Sequence, residues 1–386
     1  MELGKTIFNA KDTIFMRVLI FHTGSIGTEY YQKFFELLDN LNCNLIGFTS
    51  MDAQNYFNKI GDYTIYPAES IVTLKYDKIL IGEINEEIIN SFKEIFLNLN
   101  VSSEKISGIL WILQQVMIKK YEDIQDPVIQ ETLKYWENHE LSVFNQHTEE
   151  NPHTYDEVFF DEKIGLPYIN FTTIENKLRR MYYPKDSGFY CKDNGKKYVL
   201  DILREQLPTS PHLYIKDNHK VEEGDVLIDA GVCEGNFALR YADICSKIYL
   251  FEPDKKWFEP LYYSFKDCWD KVEFIPKGVS NLTSADSVTL DAAVNVPVGS
   301  KIFLKMDVEG AEPFALRGAK KILTTNRVKA SICSYHRQDD IIKIKSVLQN
   351  CGYRTTTSAG YMIFIYDPKI WETADFRKGI VYATNY

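Results

Sequence analysis

The sequence lacks the features that mark several specialised protein classes. Its longest apolar runs fall far short of the roughly 18–20 residues that a membrane-spanning helix needs. The N-terminus has no basic segment followed by an apolar core, so a secretory signal is not predicted. No Cys-x-x-Cys pair occurs among the seven cysteines, which argues against a zinc site or a disulfide framework. We therefore expect a cytoplasmic protein without a transmembrane segment.

Positive charge is also scarce. The 386 residues include 44 Lys and Arg against 54 Asp and Glu, for a net charge of −10. Such a surface does not favour nucleic acid, so no nucleic-acid partner is expected. One local basic patch contains Lys177, Arg179 and Arg180. We interpret it as a solvated helix face, with a phosphate-recognition site as the alternative.

Residues 226–235 are the most informative stretch of the chain. An apolar run ends at Asp229, and Gly231 and Gly235 follow at short spacing. The pattern predicts a buried parallel strand, a tight turn and a helix that begins near Asn236. Because glycine has no side chain, a ligand could lie against the backbone at the carboxyl end of this strand. A glycine-bearing turn without a ligand is the simpler alternative.

Two further strands are predicted to end in acidic residues. Residues 247–251 form an apolar, β-prone run that Glu252 follows, about 20 residues beyond the glycine loop. An acid at that position can accept hydrogen bonds from both hydroxyls of a ribose. Residues 301–306 form another apolar run, which leads into Asp307 and Glu309. These patterns predict a ligand site at one edge of a parallel sheet.

In order and spacing, these motifs resemble the FkbM family of S-adenosylmethionine-dependent methyltransferases over roughly residues 219–386. The resemblance implies a Rossmann-like class I methyltransferase domain. Its expected architecture is a mostly parallel seven-stranded sheet with helices on both faces. The residues that carry the resemblance are Asp229, Gly231, Gly235, Phe251, Glu252, Pro253, Asp254, Lys305, Asp307, Glu309, Gly310, Glu312 and residues 316–319.

The resemblance also implies how S-adenosylmethionine is bound. The glycine loop holds the methionine end, the second strand holds the ribose, and the segment after the third apolar run contacts adenine. Asp307 is an expected partner of the amino group of the cofactor. The implied cofactor residues are Asp229, Gly231, Val232, Cys233, Gly235, Asn236, Glu252, Pro253, Gly278, Val279, Ser280 and Asp307.

Three residues are candidates for the chemical step: Asp307, Glu309 and His336. Two neighbouring carboxylates could raise the pKa of one of them and create a general base, or hold a Mg²⁺ ion. Alternatively, Asp307 binds the cofactor and Glu309 caps the next helix. His336 is predicted at the end of a strand over 330–336, and an imidazole suits proton abstraction near neutral pH. No set of metal ligands is assigned.

The N-terminal part has its own alternation of strands and helices, which predicts a small parallel sheet. It resembles the Rossmann-like domain of nucleotide-sugar-modifying enzymes, with Gly47, Phe48 and residues 61–69 fitting that pattern. His22 stands where the first glycine of a dinucleotide fingerprint would be. We therefore expect a positioning, oligomerisation or recognition module. Strands are predicted over 16–21, 45–49 and 77–82, and helices over 28–41 and 86–97.

The expected organisation is a Rossmann-like domain over 1–103, a helical connector over 104–165 and the methyltransferase domain over 166–386. A surface loop over 145–155 contains His147 and His153, and residues 206–214 are predicted to form a lid or entry strand.

The predicted function is O-methylation of a sugar hydroxyl during assembly of a bacterial capsule, lipopolysaccharide or glycolipid. A sugar, nucleotide-sugar or glycan acceptor is the expected partner, and a homodimer is a further expectation. The alternatives are a methyltransferase acting on a small natural product or an amine, and a non-catalytic binding protein with the same fold.

Overall fold

The computed structural model describes residues 15–141, 157–185 and 196–386. The chain divides into two compact units, Met1–Ser142 and Val143–Tyr386. This division differs from the three expected parts, because the helices of the expected connector fall within the first unit. His147 and His153 lie outside the described residues.

The first unit is built on a six-stranded sheet, and its predicted strands and helices are present within a few residues of the expected bounds. The strands are β1 Met16–Phe21, β2 Cys43–Ser50, β3 Lys59–Ile60, β4 Tyr63–Pro67, β5 Lys78–Ile81 and β6 Ile106–Gly108. The helices are α1 Thr28–Asn40, α2 Glu86–Asn98, α3 Leu110–Tyr121 and α4 Pro127–Tyr135. The strand order is β3-β4-β2-β1-β5-β6, with every pairing parallel except β3 with β4.

The second unit contains a larger sheet and two small ones. Its strands are β7 Val158–Asp161, β8 Leu166–Thr172, β9 Leu178–Tyr182, β10 Val226–Ala230, β11 Lys247–Phe251, β12 Val272–Ile275, β13 Gly278–Val279, β14 Ser287–Val288, β15 Lys301–Met306, β16 Arg327–Cys333, β17 Arg354–Thr357 and β18 Ile380–Thr384. Its helices are α5 Lys196–Arg204, α6 Asn236–Tyr241, α7 Phe258–Phe265, α8 Leu290–Ala293, α9 Glu312–Arg317, α10 Lys320–Thr325, α11 Asp340–Asn350 and α12 Ile370–Thr373.

The large sheet has seven strands in the order β12-β11-β10-β15-β16-β18-β17. The pairings from β12 to β16 are parallel, and only β18 runs antiparallel to its neighbours. The strand order changes direction at β10, so the carboxyl ends of β10 and β15 form the topological switch point of the sheet. Open α/β sheets bind ligands in the crevice at such a point. The mostly parallel seven-stranded architecture is thus confirmed.

Apolar side chains cover both faces of this sheet. Leu227 belongs to a buried cluster on one face, with Leu261 of α7, whereas Ile228 belongs to a cluster on the other face, with Leu316 of α9. Successive residues of a strand point to opposite faces, so a strand buried on both sides must be apolar throughout. This is why the central strands could be recognised as continuous apolar runs.

The basic patch at 177–180 has a different structure from the expected helix face. Leu178–Tyr182 is a strand of the three-stranded antiparallel sheet β7-β8-β9. Arg179 pairs with the buried carboxylate of Asp243 at 2.6 Å, and Arg180 pairs with Asp161 at 2.8 Å. The helix-face interpretation was wrong because both arginines lie on a strand. The Arg179 pair links the small sheet to Asp243, and the Arg180 pair joins β9 to β7 within that sheet.

Among the residues that the structure describes, none of the helices combines the length and the apolar character needed to cross a membrane.

Candidate functional site

The glycine loop follows β10, as expected, and makes its turn with left-handed backbone at three positions. Gly231, Cys233 and Gly235 have φ angles of +76°, +45° and +81°. A Cβ atom at Gly231 would overlap the carbonyl oxygen of Asp307, and one at Gly235 would lie 2.8 Å from the ring of Phe265. These glycines were expected to leave room for a ligand. The structure gives another reason, because backbone and a ring of the protein itself fill the space where a side chain would lie.

Asp229 lies beneath this loop and is only 1% exposed. Lys305, its partner in the parallel register of β10 and β15, places Nζ 3.0 Å from Asp229 Oδ1 and donates a hydrogen bond to the carbonyl of Gly231. Burial raises the pKa of Asp229, and the ammonium of Lys305 opposes that rise. This geometry favours a role for Asp229 in shaping the loop. Lys305 was not predicted as a site residue, although a lysine within an apolar strand signals a buried acid.

Glu252, at the tip of β11, joins the loop to the second strand. Its Oε2 accepts a hydrogen bond from the N–H of Cys233 at 2.9 Å, and its Oε1 accepts one from the N–H of Asp254 at 2.8 Å. Each carboxylate oxygen has two lone pairs, so each retains one for a further donor. The buried carboxylate is thus oriented by backbone at the place where the ribose was predicted.

The remaining cofactor candidates occupy several environments. Val232 is buried in the apolar core, Asn236 is the first residue of α6 and Pro253 directly follows Glu252. Gly278 and Val279 form β13, which pairs with β14, and Ser280 continues this ribbon through a hydrogen bond to the carbonyl of Val288. The ribbon also contacts Gly318, where a Cβ would overlap Ser280. A contact between this ribbon and adenine stays a prediction.

The structure brings the three predicted catalytic residues together. His336 is 3% exposed and lies three residues beyond the end of β16. Its Nε2 is 3.4 Å from Asp307 Oδ1 and 3.5 Å from Glu309 Oε2, and none of these contacts is a hydrogen bond. Its Nδ1 is 3.1 Å from the fully buried Glu312. The Nδ1 of His336 therefore faces a buried acid, and its Nε2 faces two other carboxylates.

The other oxygen of Asp307 contacts the segment over 206–214, which was expected to form a lid or entry strand. Tyr214 donates a hydrogen bond to Asp307 Oδ2 at 2.9 Å, and His212 Nε2 lies 3.4 Å from the same oxygen. Glu205 Oε2 is 3.3 Å from His212 Nδ1. The segment over 206–214 thus forms a wall of the site. Its side chains were missed because no local pattern connects them with residue 307.

Neighbouring charges shift the pKa values of the acids and histidines around Asp307. Burial alone would raise the pKa of Asp307, but the hydrogen bond from His212 and the charge of His336 hold it well below its usual range. Burial alone would lower the pKa of His212, whereas Glu205 and Asp307 raise it to about 9. Of the two carboxylates, Glu309 is the one whose pKa is raised, by burial and by the charges of Asp307 and Glu312. Asp307 is not a base with a raised pKa, because adjacent cations stabilise its anionic form.

The pKa of His336 is also raised. Burial opposes the imidazolium form, but Glu312, Asp307 and Glu309 together outweigh that effect. A raised pKa favours the imidazolium form near neutral pH, and the neutral imidazole, which becomes more populated as the pH rises, is then a stronger proton acceptor. Of the three catalytic candidates, His336 best fits the role of general base.

Arg377 holds the loop that carries this imidazole. Its guanidinium donates to the carbonyls of Tyr335 and His336 at 3.0 and 2.9 Å, and it pairs with Asp375 and Asp367. Arg377 is 4% exposed, so these contacts are shielded from water. Arg377 lies 41 residues beyond His336, so no local sequence pattern could connect the two residues.

Residues 279–355 match the family model of the methyltransferase FkbM domain. This matched range lies within the second unit. The matched range includes Asp307, Glu309, Glu312 and His336, and it begins after the glycine loop. Residues 14–107 match a second family model, the N-terminal domain of C2185-like proteins. No curated protein matches this chain.

Several solved structures are similar to the chain at low identity. The methyltransferase FkbM of Methylobacillus flagellatus KT is 13% identical, with a TM-score of 0.41, over 95% of this chain and 90% of that one. Precorrin-6y C5,15-methyltransferase of Geobacter metallireducens is 12% identical, with a TM-score of 0.30, over 43% and 82%. SMU.1697c of Streptococcus mutans, solved in complex with SAH, is 16% identical, with a TM-score of 0.27, over 42% and 90%.

Within the second unit, the predicted residues separate into two groups. Asp307, Glu309 and His336 meet at the end of β15, whereas Glu252 and the glycine loop meet at the ends of β10 and β11. The backbone joins the groups, because the N–H of Asp307 donates to the carbonyl of Ala230 at 2.9 Å. Both groups therefore border the same crevice of the sheet.

Proposed function

We propose that the FkbM domain is an S-adenosylmethionine-dependent O-methyltransferase that acts on a sugar hydroxyl of a bacterial capsule, lipopolysaccharide or glycolipid precursor. The observation that carries this proposal is the imidazole of His336. Its Nδ1 faces buried Glu312, and its Nε2 faces the acids of the crevice without a hydrogen bond. A nitrogen in this position can accept the proton that a hydroxyl loses during methylation.

The residues at the crevice fit a cationic methyl donor. S-adenosylmethionine supplies an electrophilic methyl group on a sulfonium, and it also carries an ammonium group. The backbone carbonyl of Asp307 lies against the glycine loop, and its anionic carboxylate complements such positive charge. Glu252 retains lone pairs for the ribose hydroxyls.

Glu312 orients the imidazole for proton transfer. It is 0% exposed, and its Oε1 accepts a hydrogen bond from the N–H of Val308 at 2.9 Å while lying 3.1 Å from His336 Nδ1. A carboxylate at Nδ1 favours the tautomer whose Nε2 is the acceptor. His336 Nε2 would therefore take the proton of the acceptor hydroxyl.

Aromatic rings next to His336 support a sugar as the acceptor. The ring of Phe364 lies 5.1 Å from that of His336, and the ring of Tyr366 lies 5.6 Å from that of Phe364. Tyr366 is 65% exposed. An exposed tyrosine offers an apolar face and a polar tip, which suit the C–H face and the hydroxyls of a sugar.

Glu252→Ala is expected to weaken S-adenosylmethionine binding, since the buried carboxylate that orients toward the ribose is lost. Calorimetric titration measures the effect, and we expect at least ~10-fold weaker binding, about 1.4 kcal/mol. Glu273→Ala is the matched control, because Glu273 lies on the adjacent strand β12 with a side chain that is 46% exposed. Equal affinity in the wild type and Glu252→Ala would refute the ribose assignment.

The acceptor is tested by incubating the protein with labelled S-adenosylmethionine and a panel of sugars, nucleotide-sugars, amines and phenols. We expect the label on a sugar hydroxyl, with a mass gain of one methylene group.

Tyr366→Ala should raise KM for that sugar several-fold, whereas Tyr262→Ala, which removes a 48% exposed tyrosine of α7, should not. Transfer to an amine or phenol, with sugars inert, would contradict the proposed acceptor.

A further inference from the structure

Three side chains of different chemistry converge beside the proposed base. Cys333 is the last residue of β16, His212 lies on the wall segment, and Asp307 follows β15. Cys333 Sγ is 3.5 Å from His212 Nε2, which is 3.4 Å from Asp307 Oδ2. The three donor atoms all lie within 4.8 Å of one another. Sulfur, nitrogen and oxygen donors thus meet at one point, from segments far apart in the sequence.

Two of these separations, from Cys333 Sγ to His212 Nε2 and from His212 Nε2 to Asp307 Oδ2, match those between the ligands of a zinc ion. A tetrahedral Zn²⁺, with a Zn–S bond of about 2.3 Å and Zn–N and Zn–O bonds of about 2.0–2.2 Å, holds its donor atoms about 3.4–3.6 Å apart. Thiolate, imidazole and carboxylate are the ligands that zinc uses in proteins. We propose that Cys333, His212 and Asp307 bind a zinc ion with one coordination position left open.

The surroundings of His212 support this assignment. Glu205 Oε2 lies 3.3 Å from Nδ1, the nitrogen opposite to the proposed ligand atom. Histidine ligands commonly donate their second N–H to a carboxylate, which fixes the ring and strengthens the metal bond. Glu205 and Asp307 also provide the negative charge that a buried cation needs.

The exposure of the three proposed ligands indicates on which side the open coordination position of the zinc ion lies. Cys333 is 0% exposed and the His212 side chain 2% exposed, whereas the Asp307 side chain is 19% exposed. Access is therefore from the Asp307 side, where Oδ1 of the same carboxylate faces His336. A zinc ion there would lower the pKa of an acceptor hydroxyl that His336 then deprotonates. This role rests on the proposed function, whereas zinc binding itself does not.

The test is zinc content, measured on the full chain after incubation with zinc chloride and gel filtration. We expect one zinc per chain in the wild type and less than a tenth of that in Cys333→Ala and His212→Gln. Cys245→Ala is the matched control, since Cys245 is equally buried in the same apolar cluster as Cys333 but does not belong to the group of metal-ligating side chains, and it should keep the full equivalent. Circular dichroism establishes that each variant is folded.

Cobalt gives a second readout that a structural role of the thiol would not produce. Substitution with Co²⁺ should create a thiolate-to-cobalt charge-transfer band that disappears in Cys333→Ala. Wild-type protein that takes up no zinc, or Cys333→Ala that keeps a full equivalent, would overturn the zinc site. Zinc-free protein with full methyl-transfer activity would remove only the catalytic role. Zinc-loaded protein that methylates no hydroxyl would contradict the proposed function and leave the zinc site intact.

Discussion

His336→Ala is expected to slow methyl transfer by ~10²-fold or more, because a positioned general base contributes about that factor. Affinity for S-adenosylmethionine should stay near the wild-type value, since His336 is not among the predicted donor contacts, which lie at Glu252, the glycine loop and Asp307. Steady-state kinetics with the sugar acceptor and calorimetry with the donor separate these two effects. The fall should appear in kcat, because the imidazole acts on a proton that moves during the reaction.

His219→Ala is the control for this experiment. His219 is a histidine of the same unit, but its Nε2 contacts Ser331 and its ring packs against Phe303 and Tyr382. This variant should keep its kcat if it folds. A His336→Ala enzyme with unchanged turnover would exclude the base, and a comparable fall in both variants would point to general loss of structure.

Gly231→Ala is expected to destabilise the second unit by more than about 4 kcal/mol, the exceptional range for a single substitution. Two costs add here. The φ of +76° disfavours any L-residue, and the new Cβ would overlap the carbonyl oxygen of Asp307. Neither of the adjoining strands can shift easily, because each is hydrogen-bonded to its neighbours in the centre of the sheet. Urea unfolding followed by circular dichroism measures the change.

Gly224→Ala separates the two costs of that substitution. Gly224 has a φ of +82°, close to that of Gly231, but a Cβ there would meet no atom within 4 Å. Its substitution should cost only the backbone penalty, roughly 1–2 kcal/mol. Equal destabilisation by the two variants would show that the overlap of the new Cβ with the carbonyl oxygen of Asp307 does not contribute to the loss of stability.

Much of the second unit could be predicted because its central strands are buried on both faces. Lys247–Phe251 and Lys301–Met306 are continuous apolar runs, and each ends where a charged residue begins. The strand before His336 ends at Cys333, earlier than expected, because local pattern cannot tell a strand end from the extended loop that follows it. The glycine loop was placed correctly, but the reason for its glycines was not. The atoms that exclude a Cβ belong to Asp307, 76 residues beyond Gly231, and to side chains of α7 beside Gly235.

The sequence alone determined that the acids of residues 252, 307 and 309 lie at the carboxyl ends of parallel strands, because strand ends are marked locally by a change from apolar to charged residues. Only the tertiary structure decided which side chains meet them. Lys305 beneath the loop, Glu312 behind His336, Arg377 on its backbone, and His212 with Cys333 beside Asp307 are brought together by strand pairing and loop packing. Those contacts join residues from distant segments, and hydrophobic periodicity carries no information about which distant segments come into contact.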